Sequence, residues 1–196
     1  MRRETLAKTK NSREVRSVGA FVWAEKLFPK KPMLLGTKSK EVLIQPTASK
    51  NVQAIIDFPS EEKIPHIDMK LLAKELNVAF VNAGNHHLLI EFKKIDSYDL
   101  SSLCNKLRKR NFFKNSNISL WERSGNSILS RTNEAGAGET LSCGSAAAAI
   151  ASIVLKKGKG VTVISKGGKI SLKSLGNKME MTGPAEFICE GVWEKN

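Results

Sequence analysis

Residues 134–149, EAGAGETLSCGSAAAA, pass from a glycine-rich loop through a single cysteine into a run of four alanines. Alanine has the highest helix propensity, so the stretch predicts a loop followed by a helix that begins near Cys143. The first-turn amides of a helix have no partner within it, and the helix dipole is positive there. We therefore expect a lowered pKa for the Cys143 thiol and an anion-binding site at the amides of Gly144 and Ser145. The alternative is a small buried cysteine beside an ordinary turn.

The segments outside this stretch predict a mixture of strands and helices. Helices are expected over residues 14–27 and 100–110, and the second has an apolar face that includes Cys104. Residues 59–65 are expected to form a loop, and residues 68–76 a short amphipathic segment. Because hairpins outnumber regular βαβ repeats, the order predicts an α+β fold in which a helix packs within a curled antiparallel sheet. Strands are expected over residues 41–45, 52–58, 78–82, 87–92, 118–122, 127–132, 161–164, 170–172, 179–181 and 187–192.

The charge balance and the cysteines limit the class of protein. A net charge of +13 is a sign to check for nucleic-acid binding. The basic residues are scattered, however, and few aromatic residues lie among them to stack on bases, so this function is disfavoured. The longest apolar stretch, residues 146–155, is shorter than the roughly 20 residues of a membrane span. Three cysteines without a CxxC pair disfavour a zinc site and a disulfide framework, and favour a reducing cytoplasm.

The quoted stretch also resembles a motif of a known enzyme family. Residues 136–145, GAGETLSCGS, are similar to the second cysteine motif of diaminopimelate epimerases. Three further segments resemble family motifs in the same order along the chain, namely residues 81–87, 112–119 and 182–191. The resemblance extends over about residues 15–196 of the sequence.

This resemblance implies both a fold and a reaction. The fold would be of the epimerase α+β type, with two similar barrel-like halves that each hold a central helix. The reaction would convert LL- to meso-diaminopimelate in lysine and cell-wall biosynthesis, without a cofactor or a metal. In that reaction two cysteines face opposite sides of the substrate α-carbon, and one removes a proton while the other returns one.

The resemblance also implies roles for seven residues of this sequence. Cys143 would be one acid/base, and the amides of Gly144 and Ser145 would bind the substrate carboxylate. The other four would be Glu134 on the substrate amino group, His87 as a residue that orients and tunes the thiols, and Asn85 and Asn117 as substrate contacts. Two of these have plain alternatives, since Asn85 can be a left-handed turn residue and His87 a satisfied core histidine.

The sequence departs from the family pattern at two places that matter for function. Asn11 stands where the first catalytic cysteine belongs, and the glycines of that motif are missing. Neither Cys104 nor Cys189 is expected to substitute, because both have structural settings in the predicted elements. Ala135 replaces the family arginine that helps to hold the far end of the substrate.

These departures lead to an expected organisation and to three open functions. We expect a complete C-terminal half over residues 78–181 and an incomplete N-terminal half over residues 1–77, closed by residues 182–196. The functions are an impaired epimerase acting on diaminopimelate, an inactive or amino-acid-binding relative, and a basic nucleic-acid-binding protein. A cytoplasmic location is expected, and a homodimer is compatible with the sequence.

Overall fold

The computed structural model of the chain describes residues 32–36, 41–47, 51–64, 77–109 and 111–184. The predicted helix over residues 14–27, the segment over 68–76 and the strand over 187–192 lie outside these ranges. Neither of the two α-helices within them is long and apolar enough to cross a bilayer.

Within the described ranges the chain forms two α-helices and one mixed sheet. The helices are α1, Leu100–Arg108, and α2, Gly144–Val154, and two short 3-10 turns span Ile95–Ser97 and Asn111–Phe113. The strands are β1 Met33–Gly36, β2 Glu41–Pro46, β3 Asn51–Asp57, β4 Ser60–Glu62, β5 Val78–Asn82, β6 His86–Glu91, β7 Asn117–Ser124, β8 Ser127–Glu134, β9 Gly138–Thr140, β10 Gly160–Ser165, β11 Gly168–Ser174 and β12 Lys178–Pro184. They lie in the order β1-β2-β3-β12-β11-β10-β8-β7-β6-β5-β4, with β9 paired to β8.

Two of the strand pairs are parallel, and the sequence analysis did not predict them. Strand β6 pairs in parallel with β7, and β8 pairs in parallel with β10. Parallel neighbours need a crossover connection, and α1 lies between β6 and β7 whereas α2 lies between β8 and β10. The expectation of an antiparallel sheet is therefore wrong at these two pairs, because each helix is the crossover of one parallel pair.

Helix α2 lies inside the curl of this sheet. Its residues from Ala146 to Ala151 are all buried, and it contacts β4 to β7 on one side and β10 and β11 on another. Alanine side chains let the surrounding strands approach closely, and larger ones such as Leu89, Trp121 and Met181 fill the space around the helix. The predicted helix within a curled sheet is confirmed.

Helix α1 packs against the sheet through a second apolar cluster. Asp99 stabilises its start, since its Oδ1 accepts a hydrogen bond of 2.9 Å from the Ser102 amide. The helix ends at Arg108, two residues before the predicted end. As expected from the spacing of its apolar residues, the buried positions are Leu100, Leu103, Cys104 and Leu107, which pack with Phe80, Ile118 and Leu120.

The N-terminal strands continue the same sheet and enclose a third apolar cluster. Strand β3 pairs along its whole length with β12, and Val42, Ile44, Val52 and Ala54 pack together on one face. Strand β1 was not predicted from the sequence, and a loop was expected over residues 59–65, where the short strand β4 pairs with β5. The two-half division at residues 77 and 182 stays a prediction.

Candidate active site

The cysteine singled out in the sequence lies directly before helix α2. Cys143 has an extended backbone, with φ −129° and ψ 111°, and the helix begins at Gly144. The Cys143 carbonyl accepts a hydrogen bond of 3.0 Å from the Ala147 amide, which is the first bond of the helix. The first-turn amides that precede Ala147 have no partner within the helix. The predicted position of the thiol at a helix N-terminus is thus confirmed.

The predicted lowering of the Cys143 pKa is wrong. The residue is only 9% exposed, and burial is the main cause that raises the pKa of the thiol. Ser145 Oγ, 3.4 Å from Cys143 Sγ, and the Ala146 amide lower the pKa, but the nearby Glu134 carboxylate raises it. Burial and one carboxylate therefore outweigh the hydrogen-bond donors near the thiol, and the pKa of Cys143 lies above its ordinary value.

Three of the predicted residues lie side by side on neighbouring strands. His87 on β6 is directly opposite Asn117 on β7. In the antiparallel pair of β7 and β8, Ile118 is opposite Asn133. Glu134 is the next residue and the last of β8, so it is opposite Asn117. Directly opposed residues of neighbouring strands project from the same face of a sheet. The register therefore groups an imidazole, an amide and a carboxylate on one face.

His87 is fully buried at the start of this row. Burial lowers the pKa of its imidazole to about 4, although the Glu134 carboxylate acts in the opposite direction. His87 Nε2 lies 3.0 Å from Asn85 Oδ1, and because that oxygen can only accept, the neutral ring carries its proton on Nε2. His87 Nδ1 is then an acceptor, and it has no partner among the residues that the structure describes. His87 is thus not a fully satisfied core histidine.

Asn85 precedes His87 in a tight turn between β5 and β6. The left-handed conformation of this turn belongs to Gly84, with φ +93°, whereas the only described non-glycine residue with a positive φ is Lys94. The alternative that Asn85 is a left-handed turn residue is therefore wrong. Its side chain instead holds the His87 ring in one orientation.

Glu134 is close to both the imidazole and the thiol. Its carboxylate influences the pKa of both His87 and Cys143, and its Oε1 accepts a hydrogen bond of 2.6 Å from Thr140 Oγ1. Asn117 Oδ1 accepts a hydrogen bond of 3.0 Å from the Ala135 amide, so Asn117 holds the backbone directly after Glu134. The structure therefore brings six of the seven predicted residues into one group around Glu134 and Cys143, and Asn85 joins it through His87.

A partly buried arginine, not predicted from the sequence, holds the glycine-rich segment before Cys143. Arg131 Nε and Nη2 donate to the two carboxylate oxygens of Glu139, both at 2.8 Å. Arg131 Nη1 also donates to the carbonyls of Ile95 and Tyr98, at 2.6 and 2.9 Å. The pair raises the pKa of Arg131 and lowers that of Glu139. In the sequence, the only sign of this ion pair was Glu139, a charged residue without an assigned role in the glycine-rich segment.

The other described cysteine lies apart from this group. Cys104 is fully buried on α1, in the apolar cluster that also contains Leu100, Leu103 and Leu107. Burial raises its pKa to about 11. Among the described residues, no group of three or more His, Cys, Asp or Glu side chains is arranged to hold a metal ion. The side chains grouped around Cys143 suit proton transfer at one thiol, with a carboxylate and the first-turn amides of a helix beside it.

Sequence comparisons agree with the geometry. The family profile described as diaminopimelate epimerase matches residues 79–188. A diaminopimelate epimerase from Blochmanniella floridana is 31% identical over 198 residues, which cover 90% of this chain and 71% of that protein. One from Methanococcus maripaludis is 28% identical over 90% of this chain and 72% of its own length. The chain belongs to the diaminopimelate epimerase family.

Solved structures support the fold of this diaminopimelate epimerase family member. A phenazine biosynthesis protein from Clostridium difficile superposes with a TM-score of 0.69 at 15% identity, over 95% of this chain and 74% of its own. A hydroxyproline epimerase from Agrobacterium vitis gives a TM-score of 0.65 at 9% identity, over 90% of this chain and 64% of its own. The predicted α+β, epimerase-type fold class is confirmed.

Proposed function

We propose that the chain is a cofactor-independent amino-acid epimerase of the diaminopimelate type that retains one half of the acid–base pair, Cys143. The observation that carries this proposal is the grouping of Cys143, Glu134 and His87 at the N-terminus of α2. The reaction would be the conversion of LL- to meso-diaminopimelate, which serves lysine and cell-wall biosynthesis in the cytoplasm. Its efficiency is expected to be low, because no acid is identified for the opposite face of the α-carbon.

Each end of an α-amino acid meets a complementary group in this arrangement. The carboxylate is expected to accept hydrogen bonds from the first-turn amides of Gly144 and Ser145, where the helix dipole adds favourable electrostatics. The ammonium group is expected to pair with the Glu134 carboxylate. A carbanion beside a carboxylate is very unfavourable in water, and the same amides offset the charge that develops on the carboxylate.

Glu134 links substrate binding to the proton chemistry of Cys143. In the free protein the Glu134 carboxylate is one of the causes that raise the pKa of the thiol. A substrate ammonium paired with Glu134 offsets that charge, so the pKa of Cys143 falls when substrate binds. Once the thiol has lost its proton to solvent, the thiolate takes the α-proton, with an S–H bond forming as the C–H bond breaks. Return of a proton from Cys143 then restores the same face.

Inversion needs a second acid on the opposite face of the α-carbon. By the resemblance to the family motif, Asn11 is aligned with the first cysteine, and an amide side chain cannot serve as that acid. Cys104 lies on the buried face of α1, and Cys189 is expected to be structural. We therefore infer that inversion is impaired. Asn11 also favours the second candidate function, that of a relative that binds an amino acid without turning it over.

The identity of the preferred amino acid depends on Ala135. Alanine has no guanidinium, and the only donor of this residue is its backbone amide, which donates to Asn117 Oδ1. Without the family arginine, the second carboxylate of diaminopimelate lacks the group that would hold it. Lysine has the same carbon chain without that carboxylate, and we expect it to bind nearly as well as diaminopimelate.

A homodimer stays a prediction from the sequence.

Deuterium uptake at the α-carbon tests this function. The chain is incubated in D₂O with LL-diaminopimelate, meso-diaminopimelate or L-lysine, and proton NMR follows the loss of the α-hydrogen signal. We expect slow uptake above the rate of a Cys143→Ala blank, because a positioned general base typically contributes roughly 10²–10⁴-fold. Uptake by wild type at the rate of the blank, for every amino acid, would contradict the enzymatic proposal. Binding without uptake would instead support the second candidate function.

A further inference from the structure

The turn between β10 and β11 touches the segment that leads into Cys143. Ser165 on β10 is opposite Gly168 on β11, so Lys166 and Gly167 form the turn. The Gly167 amide donates a hydrogen bond of 2.6 Å to the Leu141 carbonyl. This contact joins two segments that are 26 residues apart in sequence. Its partner Leu141 lies two residues before Cys143.

The contact is too close for any side chain at position 167. A Cβ atom built on Gly167 would lie 2.9 Å from the Leu141 carbonyl oxygen, 2.9 Å from Ser142 Cβ and 3.0 Å from the Leu141 carbonyl carbon. These atoms belong to backbone or to the first side-chain carbon, so they cannot move aside by a rotamer change. By contrast, a Cβ built on Gly168 has nothing within 4 Å. An alanine would therefore overlap the Leu141–Ser142 segment at position 167, whereas at position 168 it would strain only its own backbone, at φ +123°.

Little else holds Leu141 and Ser142 in place. The Leu141 side chain is 68% exposed, and both residues lie between the end of β9 at Thr140 and the start of α2, outside either hydrogen-bonded element. The turn adds a second contact next to this segment, since Lys166 Nζ lies 3.8 Å from Glu139 Oε1. Gly167 thus supplies a short, direct constraint on a segment that has few others among the described residues.

We propose that Gly167 is a positioning residue, whose bare backbone holds the peptide of Leu141 and Ser142 and so sets the place of the Cys143 thiol at the start of α2. The catalytic consequence rests on the proposed function, but the position of the thiol does not. Reacting groups must be held to about 0.5 Å. Relief of a 2.9 Å contact needs a shift of similar size, and Cys143 is the next residue after Ser142.

The rate of Cys143 alkylation by iodoacetamide at one fixed pH tests the proposal. The modified peptide is quantified by mass spectrometry, with the buried Cys104 peptide as internal reference. Gly167→Ala should displace the thiol from its buried place, and alkylation should rise about tenfold or more relative to wild type. Gly168→Ala, in the same turn at a strained φ of +123°, is the matched control and should stay within about twofold of wild type. Equal rates in the two variants would overturn the proposal.

Deuterium uptake gives the second readout and separates this proposal from the proposed function. Gly167→Ala should slow Cys143-dependent uptake about tenfold, because a small misplacement of a reacting group is costly, whereas Gly168→Ala should not. If wild type shows no uptake, the proposed function fails, but the alkylation result still decides the role of Gly167. Faster alkylation with unchanged uptake would overturn the positioning role.

A double variant covers the case in which Gly167→Ala does not fold. Gly167→Ala with Ser142→Gly removes the Cβ of Ser142, one of the three atoms that the new methyl group meets. The double variant should fold and show an alkylation rate between those of wild type and an unconstrained thiol. If the double variant does not fold either, the contact serves the fold and not the placement of Cys143, and the assignment is overturned.

Discussion

Replacing Glu134 by glutamine is expected to speed the alkylation of Cys143 and, at the same time, to weaken the binding of an α-amino acid by roughly 10- to 100-fold. The first effect follows because the carboxylate raises the pKa of the thiol, so its neutral isostere lets that pKa fall. The second follows because a hydrogen bond to a charged group contributes about 1.5–3 kcal/mol. A general loosening of the fold would not produce these two effects together.

The measurement pairs alkylation of Cys143 across a pH series with calorimetric titration of LL-diaminopimelate. In wild type the alkylation rate should rise through a pKa above the ordinary value of about 8.5, and in Glu134→Gln through a lower one. Glu91→Gln is the control, because Glu91 is a half-buried carboxylate that pairs with Asn77 and Arg123 instead. An alkylation profile unchanged by Glu134→Gln would show that the carboxylate does not act on the thiol.

Acid should destabilise the folded chain through His87, by about 3 kcal/mol between pH 6.5 and pH 4. The pKa of the buried imidazole is lowered to about 4, whereas an unfolded histidine takes up its proton near pH 6.5. As the pH falls through this window, the His87 imidazole binds a proton in the unfolded state but stays neutral in the native state. The free energy of unfolding therefore falls with pH, and the effect levels off below about pH 4.

Urea unfolding at several pH values between 7 and 4 checks this expectation. The carboxylates of the protein also titrate in this range, so the deciding quantity is the difference in slope between wild type and His87→Gln. The variant should lose the part of the acid sensitivity that belongs to position 87. Equal slopes in wild type and His87→Gln would show that His87 is not held neutral by burial.

Local features of the sequence were sufficient to place both helices. The alanine run after Cys143 predicted a helix that begins within a residue of its observed start at Gly144, because alanine propensity and the preceding glycines act over a few residues. Helix α1 was likewise predicted from the spacing of Leu100, Leu103 and Leu107, all of which are buried. Such periodicity reflects burial directly and needs no knowledge of the partner strands.

The strand partners could not be read from the sequence in the same way. Whether β6 pairs with β5 alone or also with β7, and in which direction, depends on where α1 returns the chain. The residues on each strand do not carry that information. Strands β4 and β9 have only three residues each, too few for an alternating pattern to appear. Those short strands were therefore expected to be loops, and the mixed sheet was expected to be antiparallel.

The site shows the same division between local and non-local information. The helix start at Cys143 was predicted correctly, but the inferred direction of its pKa shift was wrong, because burial and Glu134 reach the thiol only through the folded sheet. The resemblance to the family supplied the names of His87, Asn117 and Glu134. Only the strand register could show that they stand in one row.

The stereochemistry of deuterium uptake is the most direct test of a site with a single thiol acid–base. Pure LL-diaminopimelate is incubated in D₂O with the chain, with Cys143→Ala as blank, and the isomers are resolved by chromatography after proton NMR. We predict deuterium at the α-carbon of the LL isomer with retention of configuration, and no meso isomer above the blank. The basis is the proposal that Cys143 serves one face and that Asn11, aligned by resemblance with the first catalytic cysteine, offers no acid to the other. Rapid formation of meso-diaminopimelate by this chain alone would contradict the single-thiol site and require a second base.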